Sequence, residues 1–489
     1  MIIDLSTDIC VVLPPIDCDV CIVGAGPAGI SLALTLARIR PDWLVVLLEA
    51  GGIDSASERE RDIYKVTQTG RRYPVMDISR RRMLGGSSAH WGGWSRPLDI
   101  TDFEENPAWD QPGWPLSAAD LAPYYVQASG WCELDDSNFD PDAVAVRHPK
   151  AMFDTVAFEN IDNRLFRFST PTRFGTRYRQ ALEEQKNLHC YLHANLLPVE
   201  SDNERIEKVE FCSLGGGRYS LMTKQLVLAM GGMECTRYLL NMRRHDDDSG
   251  SGIYSYHLGR YFGDHFGLIP AQVLAPAELQ YHLFSDDGSK VMPVLCWNDK
   301  SIRRDHHNNS AVRLYATAAD PMPGTTYTQL PGLGFTSGDF WQYDAKMTIE
   351  PRPNPDSYLQ LLDERCELGL RRLALHWVLD RGDFRSAFGL LEQLAQELGG
   401  SGLGRVRLTQ TVDEAQESEV SAGCHHMGTI RMAADPRDGV SDPNLRVYGF
   451  DNLYIASSAV FPKFGFSNPT LTIVALALRL ADHLGGGRI

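Results

Sequence analysis

Nowhere does this 489-residue chain run apolar for the roughly 18 residues that a bilayer crossing needs. Positive charge is in short supply: 47 Lys and Arg face 63 Asp and Glu, a formal balance of −16. Such a chain repels phosphate backbones and anionic membranes, so nucleic acid is not expected as a partner. The first residues, Met-Ile-Ile-Asp-Leu-Ser-Thr-Asp, lack a basic segment and put Asp4 and Asp8 where a secretory signal needs apolar residues. Cysteine is sparse and scattered, ten in all, which does not suit the disulfide framework of a small secreted domain. Cys18 and Cys21 form a lone C-x-x-C with no second pair at zinc spacing, so no metal site is expected and both thiols read as buried hydrophobes. Internal repeats and low-complexity tracts are missing too. Together these absences make a cytoplasmic protein without a membrane span the expectation.

What is present is an ordinary globular balance, 43% apolar and 22% charged, in a length suited to about three structural units. Residues 18–50 read strand, glycine turn, helix, strand; 188–242 read strand, hairpin, strand; 445–484 read strand, then long helix. The stretches between carry no βαβ alternation. The expected fold is α/β: a doubly wound, Rossmann-like nucleotide-binding domain from segments 1–110, 188–270 and 416–489, with an inserted α+β substrate domain from 111–187 and 271–415.

The apolar strand ending at Val23 runs into Gly24-Ala25-Gly26-Pro27-Ala28-Gly29, then a helix former, then the strand Trp43–Leu48 ending at Glu49. Gly24 permits a tight turn, Gly26 lets main chain approach a pyrophosphate, and Gly29 lets the helix sit close to the strand. The helix start offers free N–H groups to phosphate. Glu49, 20 residues after Gly29, can accept hydrogen bonds from a ribose. The motif predicts dinucleotide binding and leaves FAD and NAD equally open.

Three further motifs bear on that choice. They are Met83-Leu84-Gly85-Gly86-Ser87-Ser88-Ala89-His90-Trp91-Gly92-Gly93; Ala229-Met230-Gly231-Gly232-Met233-Glu234; and a C-terminal set. That set contains His425-His426-Met427-Gly428-Thr429, then Ser457-Ser458, then Asn468-Pro469-Thr470. With the first loop, they make the chain resemble the glucose–methanol–choline (GMC) family of FAD-dependent oxidoreductases from about Asp19 to His483. Asn468-Pro469-Thr470 resembles the pyranose oxidase and cholesterol oxidase branch. The resemblance implies bound FAD and oxidation of an alcohol group on a small molecule such as a sugar, with oxygen, a quinone or a redox protein taking the electrons. It implies cofactor contacts from Gly24, Gly26, Gly29, Glu49, Gly85, Gly86, Ser88, His90, Trp91, Gly92, Leu196, Gly231, Ser458, Pro469 and Thr470. His90 matches the histidine bonded to the flavin in pyranose oxidases; packing on the flavin without a bond is the alternative.

Alcohol oxidation moves a hydride to the flavin and a hydroxyl proton to a base. A base that titrates near neutrality favours histidine. His425 begins the His-x-x-Gly-Thr pattern where the family keeps its catalytic histidine. Adjacent side chains of an extended segment face opposite ways, so His426 is expected behind it or on the surface. Asn468, just before a helix that starts with Pro469, reads either as its N-cap or as a holder of the substrate hydroxyl. Arg80-Arg81-Arg82 can balance phosphate charge, although a run of arginines more often forms a solvated face. A flavin-containing lyase of the same fold and a non-catalytic flavoprotein are the rival functions.

Overall fold

The computed structural model describes residues 1–6, 13–76, 78–109, 112–149, 151–152, 158–199, 204–242, 252–279, 281–286, 288–317 and 340–487. Among them the chain is mixed α/β with three sheets. The first sheet follows from near-continuous apolar runs. Val45–Leu48 is buried throughout, and Ile16–Val23 is buried over its last four residues, as strands covered on both faces must be. Its strands lie in the order Ile2–Asp4, Leu188–Leu192, Val45–Leu48, Ile16–Val23, Arg218–Leu228, all parallel. The far edge of Arg218–Leu228 is shared. Its first half pairs antiparallel with Lys208–Cys212, and Leu226–Leu228 pair parallel with Leu453–Ile455. The helices Pro27–Ile39, Ala118–Trp131 and Thr470–Gly485 join the same core. The second expected strand starts at Val45 rather than Trp43, two residues later than its apolar pattern.

The second sheet is antiparallel. It runs Arg405–Leu408, Phe266–Ala275, Trp341–Ile349, Ser310–Ala316, Ser289–Trp297, Ile161–Phe168, Trp94–Ser95. The helix Arg381–Gly400 lays Phe384, Phe388, Leu391 and Leu394 into its core, with Phe384 against Phe266. The third sheet joins distant pieces: Val66–Gly70 pairs parallel with Arg371–Trp377, which pairs antiparallel with Tyr358–Arg365. Packing cuts across the expected segments. Leu121 and Ala128, from the 111–187 stretch, sit in the core of the parallel sheet because their helix packs on Thr470–Gly485, and Trp114 joins that core against Phe461. Val66 and Tyr73, from the 1–110 stretch, sit in the core of the antiparallel sheet. Among the described residues no helix is long and apolar enough to cross a membrane.

Candidate active site

The first glycine loop is built by close approach. Gly24 has φ +106°, and a Cβ there would lie 2.5 Å from the Ala229 carbonyl oxygen, so only glycine fits. A Cβ on Gly29 would lie 1.8 Å from the Gly24 carbonyl oxygen. Glu49 ties the loop to the next one: its Oε2 accepts from Ala25 N at 2.8 Å and its Oε1 from Gly51 N at 2.9 Å. Burial pushes its pKa up. Each oxygen keeps lone-pair capacity for a ribose hydroxyl. The helix Pro27–Ile39 starts at Gly26 with no side-chain cap, which leaves its first N–H groups to a ligand.

The second glycine loop is pinned to the first by Gly85 N donating to Ala25 O at 2.7 Å. The Ser88 hydroxyl donates to Gly85 O at 2.6 Å and accepts from Phe174 N at 3.1 Å, so it holds the loop. The Trp91 indole donates to Thr172 O at 2.8 Å. His90 accepts at Nδ1 from Arg81 Nε at 3.3 Å. Burial, then Arg81 and Arg173, lower its pKa and hold the ring neutral.

These loops wall a cavity of about 440 Å³. Of the cofactor residues expected from sequence, Gly24, Gly26, Glu49, Gly86, Ser88, His90, Trp91, Gly92, Leu196, Gly231, Ser458, Pro469 and Thr470 line it. Gly29 and Gly85 stand behind the wall, where they set the spacing of the loops. Of the arginine run only Arg81 is exposed; Arg80 and Arg82 are partly buried. Arg80 donates to Glu234 Oε1 at 2.9 Å and to Tyr64 O at 2.6 Å, Arg82 binds Asn195, and all three arginines line the cavity. Neighbouring acid and carbonyl oxygens draw Arg80 and Arg82 inward, which a count of charges along the chain cannot show. Among the described residues the buried Nε of Arg80 and of Arg82 has no partner. An uncapped helix start, two unpartnered cationic N–H groups and room for a Cβ at Gly26 fit the pyrophosphate of a dinucleotide.

His425 and Asn468, 43 residues apart in sequence, meet on the same cavity: Asn468 Nδ2 lies 3.1 Å from His425 Nε2. Asn468 does not cap the C-terminal helix. That helix runs Thr470–Gly485 with Pro469 at the N-cap and no side-chain cap. The amide turns to the cavity beside His425 instead, while Leu471, Val474, Ala475 and Leu478 bury the helix as expected. His426 is not a surface residue either. It is 8% exposed, it reaches the cavity wall, and it stacks at 5.9 Å on the Phe262 ring.

Three residues at this site escaped sequence reasoning: Tyr73, Asp264 and His265. His265 Nδ1 lies 2.9 Å from His425 Nδ1. Asp264 accepts from His425 N at 2.9 Å, from Cys424 N at 3.1 Å and from the Tyr73 hydroxyl at 2.5 Å. Burial raises the Asp264 pKa to about 7. Every hydrogen-bond partner on it is a donor, so the ionised form is the one its surroundings hold. Its Oδ1 stands 3.7 Å from His425 Nδ1, ready to face a charge on that ring. Cys424 takes φ +64°, a left-handed conformation uncommon outside glycine, and the Asp264 carboxylate holds it there. Burial, then His265 and His426, put the His425 pKa well below 6.5. The available signal was an Asp-His dipeptide between Gly263 and Gly267, close beside a buried strand.

Residues 353–477 match the family model described as GMC oxidoreductase. The chain is 22% identical over 533 residues to 6'''-hydroxyparomomycin C oxidase of Streptomyces lividus, covering 96% of this chain and 92% of that one. It is 21% identical over 541 residues to 2-methyl-1,2-propanediol dehydrogenase of Mycolicibacterium austroafricanum, covering 95% of each. Among solved structures, pyridoxine 4-oxidase from Mesorbium loti aligns with a TM-score of 0.55 at 20% identity, covering 96% of this chain and 99% of that one.

Proposed function

We propose that this chain, a GMC oxidoreductase with FAD as its cofactor, oxidises an alcohol carbon of a sugar, glycoside or other secondary alcohol, with His425 as the base. The observation that carries the reading is the pair His425 Nε2 and Asn468 Nδ2, 3.1 Å apart on the wall of the cavity that the glycine loops build. A substrate hydroxyl between them accepts from the Asn468 amide and gives its proton to His425 Nε2. The Asp264 carboxylate then faces the charged ring. FAD, when bound, supplies flavin N5 as the acceptor of the hydride. Gly26, Glu49, Arg80 and Arg82 would hold its pyrophosphate and ribose, and His90 would carry the covalent bond to the ring. The uncapped start of Thr470–Gly485, on the cavity wall, favours negative charge there. A His–Asn pair supports placement with the pyranose oxidase branch.

The nucleotide-binding unit is assigned to the parallel sheet and the substrate unit to the antiparallel one. Oxygen, a quinone or a redox protein re-oxidises the flavin. Free cysteines, nine among the described residues, suit a reducing compartment such as the cytoplasm. Anaerobic mixing of the purified protein with a panel of sugars and alcohols tests the function. At least one should bleach the oxidised flavin absorbance. A panel that leaves the flavin oxidised, with cleavage of a hydroxynitrile instead, would point to lyase chemistry.

A further inference from the structure

A chain of ring nitrogens behind the cavity ends on a main-chain oxygen. The Gly465 carbonyl lies 2.8 Å from His265 Nε2. A carbonyl can only accept, so His265 Nε2 carries a hydrogen. His265 is 2% exposed, and burial lowers its pKa to about 4, so its ring is neutral and that hydrogen is its only one. Its Nδ1 is therefore a lone pair, and the 2.9 Å contact to His425 Nδ1 requires the hydrogen to sit on His425. His425 is neutral as well, which leaves the lone pair on Nε2, the atom beside Asn468.

The carbonyl that starts this sequence is itself clamped. Glu350 Oε1 accepts from Gly465 N at 2.7 Å and from Phe464 N at 3.1 Å, and its Oε2 accepts from Asn309 N at 2.8 Å. Gly465 has φ +58°, and a Cβ there would lie 2.4 Å from Asp102 Oδ2, so no other residue presents the carbonyl in this way. The titratable groups around the pair are Asp264, Tyr73, Cys424 and His426 beside His425, and Glu350 and Asp102 behind Gly465.

We propose that His265, hydrogen-bonded to the Gly465 carbonyl, is a positioning residue that fixes the tautomer of His425, with Nδ1 protonated and Nε2 open to the cavity. The inference rests on the reading of His425 as the base. It adds that the proton taken from substrate is not relayed away through His265, because that path ends on a carbonyl oxygen that cannot accept it covalently.

Two measurements on the flavin-loaded protein test this. Long-range proton–nitrogen correlation of ¹⁵N-histidine-labelled protein, with His425 assigned by its loss in His425→Ala, should show the Nδ1–H form. In stopped-flow reduction by an alcohol, His265→Leu should slow the limiting rate by roughly 10²-fold, the scale of a misdirected base. His265→Gln, whose amide can donate to Gly465 and accept from His425, should lose no more than about fivefold, the scale of one imperfect hydrogen bond. The substrate dissociation constant should move far less than the rate in both. An Nε2–H form in the wild-type spectrum, or a Leu variant as fast as the Gln variant, overturns the proposal. If His265→Leu does not fold, the wild-type spectrum decides alone. An Nδ1–H spectrum from a protein that no alcohol reduces upholds the tautomer while the reading of the function falls.

Discussion

Gly26 and Gly29 stand three residues apart, and the structure gives them different work that alanine can separate. At Gly29 an added Cβ would lie 1.8 Å from the Gly24 carbonyl oxygen, where even 3.0 Å is tight. The loop cannot yield easily, because Gly24 N is held by Leu48 O at 2.7 Å and Gly24 itself presses on Ala229. The helix must move by more than an ångström. Overpacking of this kind costs about 2–3 kcal/mol, and the better helix propensity of alanine returns about 1 kcal/mol. Gly29→Ala should thus lose about 1–2 kcal/mol of stability even without flavin. At Gly26 a Cβ would meet no protein atom within 4 Å, and its extended backbone suits alanine. Gly26→Ala should cost the flavin-free protein under about 1 kcal/mol, the scale of a lost cap preference. It should weaken FAD binding by at least about tenfold, because the methyl occupies the approach to the pyrophosphate. Urea unfolding of both variants, from a riboflavin-starved host and from a replete one, measures the two effects, with flavin content alongside. A Gly29→Ala protein as stable as wild type would refute the packing argument. A Gly26→Ala protein with full FAD affinity would refute the phosphate assignment.

The site variants should fall in order. His425→Ala should slow flavin reduction by roughly 10²–10⁴-fold, Asn468→Ala should fall between, and His426→Ala should cost least, read by stopped-flow at saturating substrate. Asn468→Ala should leave the melting temperature nearly unchanged, since Asn468 caps no helix. Stability should drop as the pH falls below 6.5, because the unfolded chain takes up protons that His265, at about 4, and His426, at about 3, refuse in the fold. His426→Phe should flatten that slope in urea titrations at neutral and acid pH; an unchanged slope would count against the buried, neutral His426. Acid precipitation should leave the flavin on the wild-type protein and release it from His90→Ala; free flavin from wild type would rule out the covalent bond.

The parts legible in sequence were those set by neighbours along the chain. The turn at Gly24, the helix after Gly26 and the buried strands follow from local pattern. His425 and Asn468 were legible through motif register, although only the fold brings them to 3.1 Å. What stayed hidden is long-range. His265 reaches His425 across 160 positions of sequence and Tyr73 reaches Asp264 across 191, and nothing near either one announces the meeting. Arg80 and Arg82 resemble any exposed basic run until Glu234, Tyr64 and Asn195 close around them. The strand Val66–Gly70 finds its partner in Arg371–Trp377, beyond the reach of any periodicity. Asn468 missed its cap because Pro469 takes that position and its own amide turns to an imidazole.

The shared edge of the strand Arg218–Leu228 also has a meaning for synthesis. Leu226, Val227 and Leu228 are fully buried, and their partner strand, Leu453–Ile455, leaves the ribosome more than 200 residues later. At 5–20 residues per second, that apolar edge waits on the order of tens of seconds with its N–H and C=O groups unpaired. The nascent chain thus carries a ready template for the wrong strand while it makes the later strands of its antiparallel sheet, from Phe266–Ala275 to Arg405–Leu408. A chain stopped before Leu453 lacks more than Asn468 and the last helix: it keeps that edge open permanently. Premature termination before Leu453 therefore yields a sticky product rather than a merely shortened fold, and chaperone demand should peak late in translation.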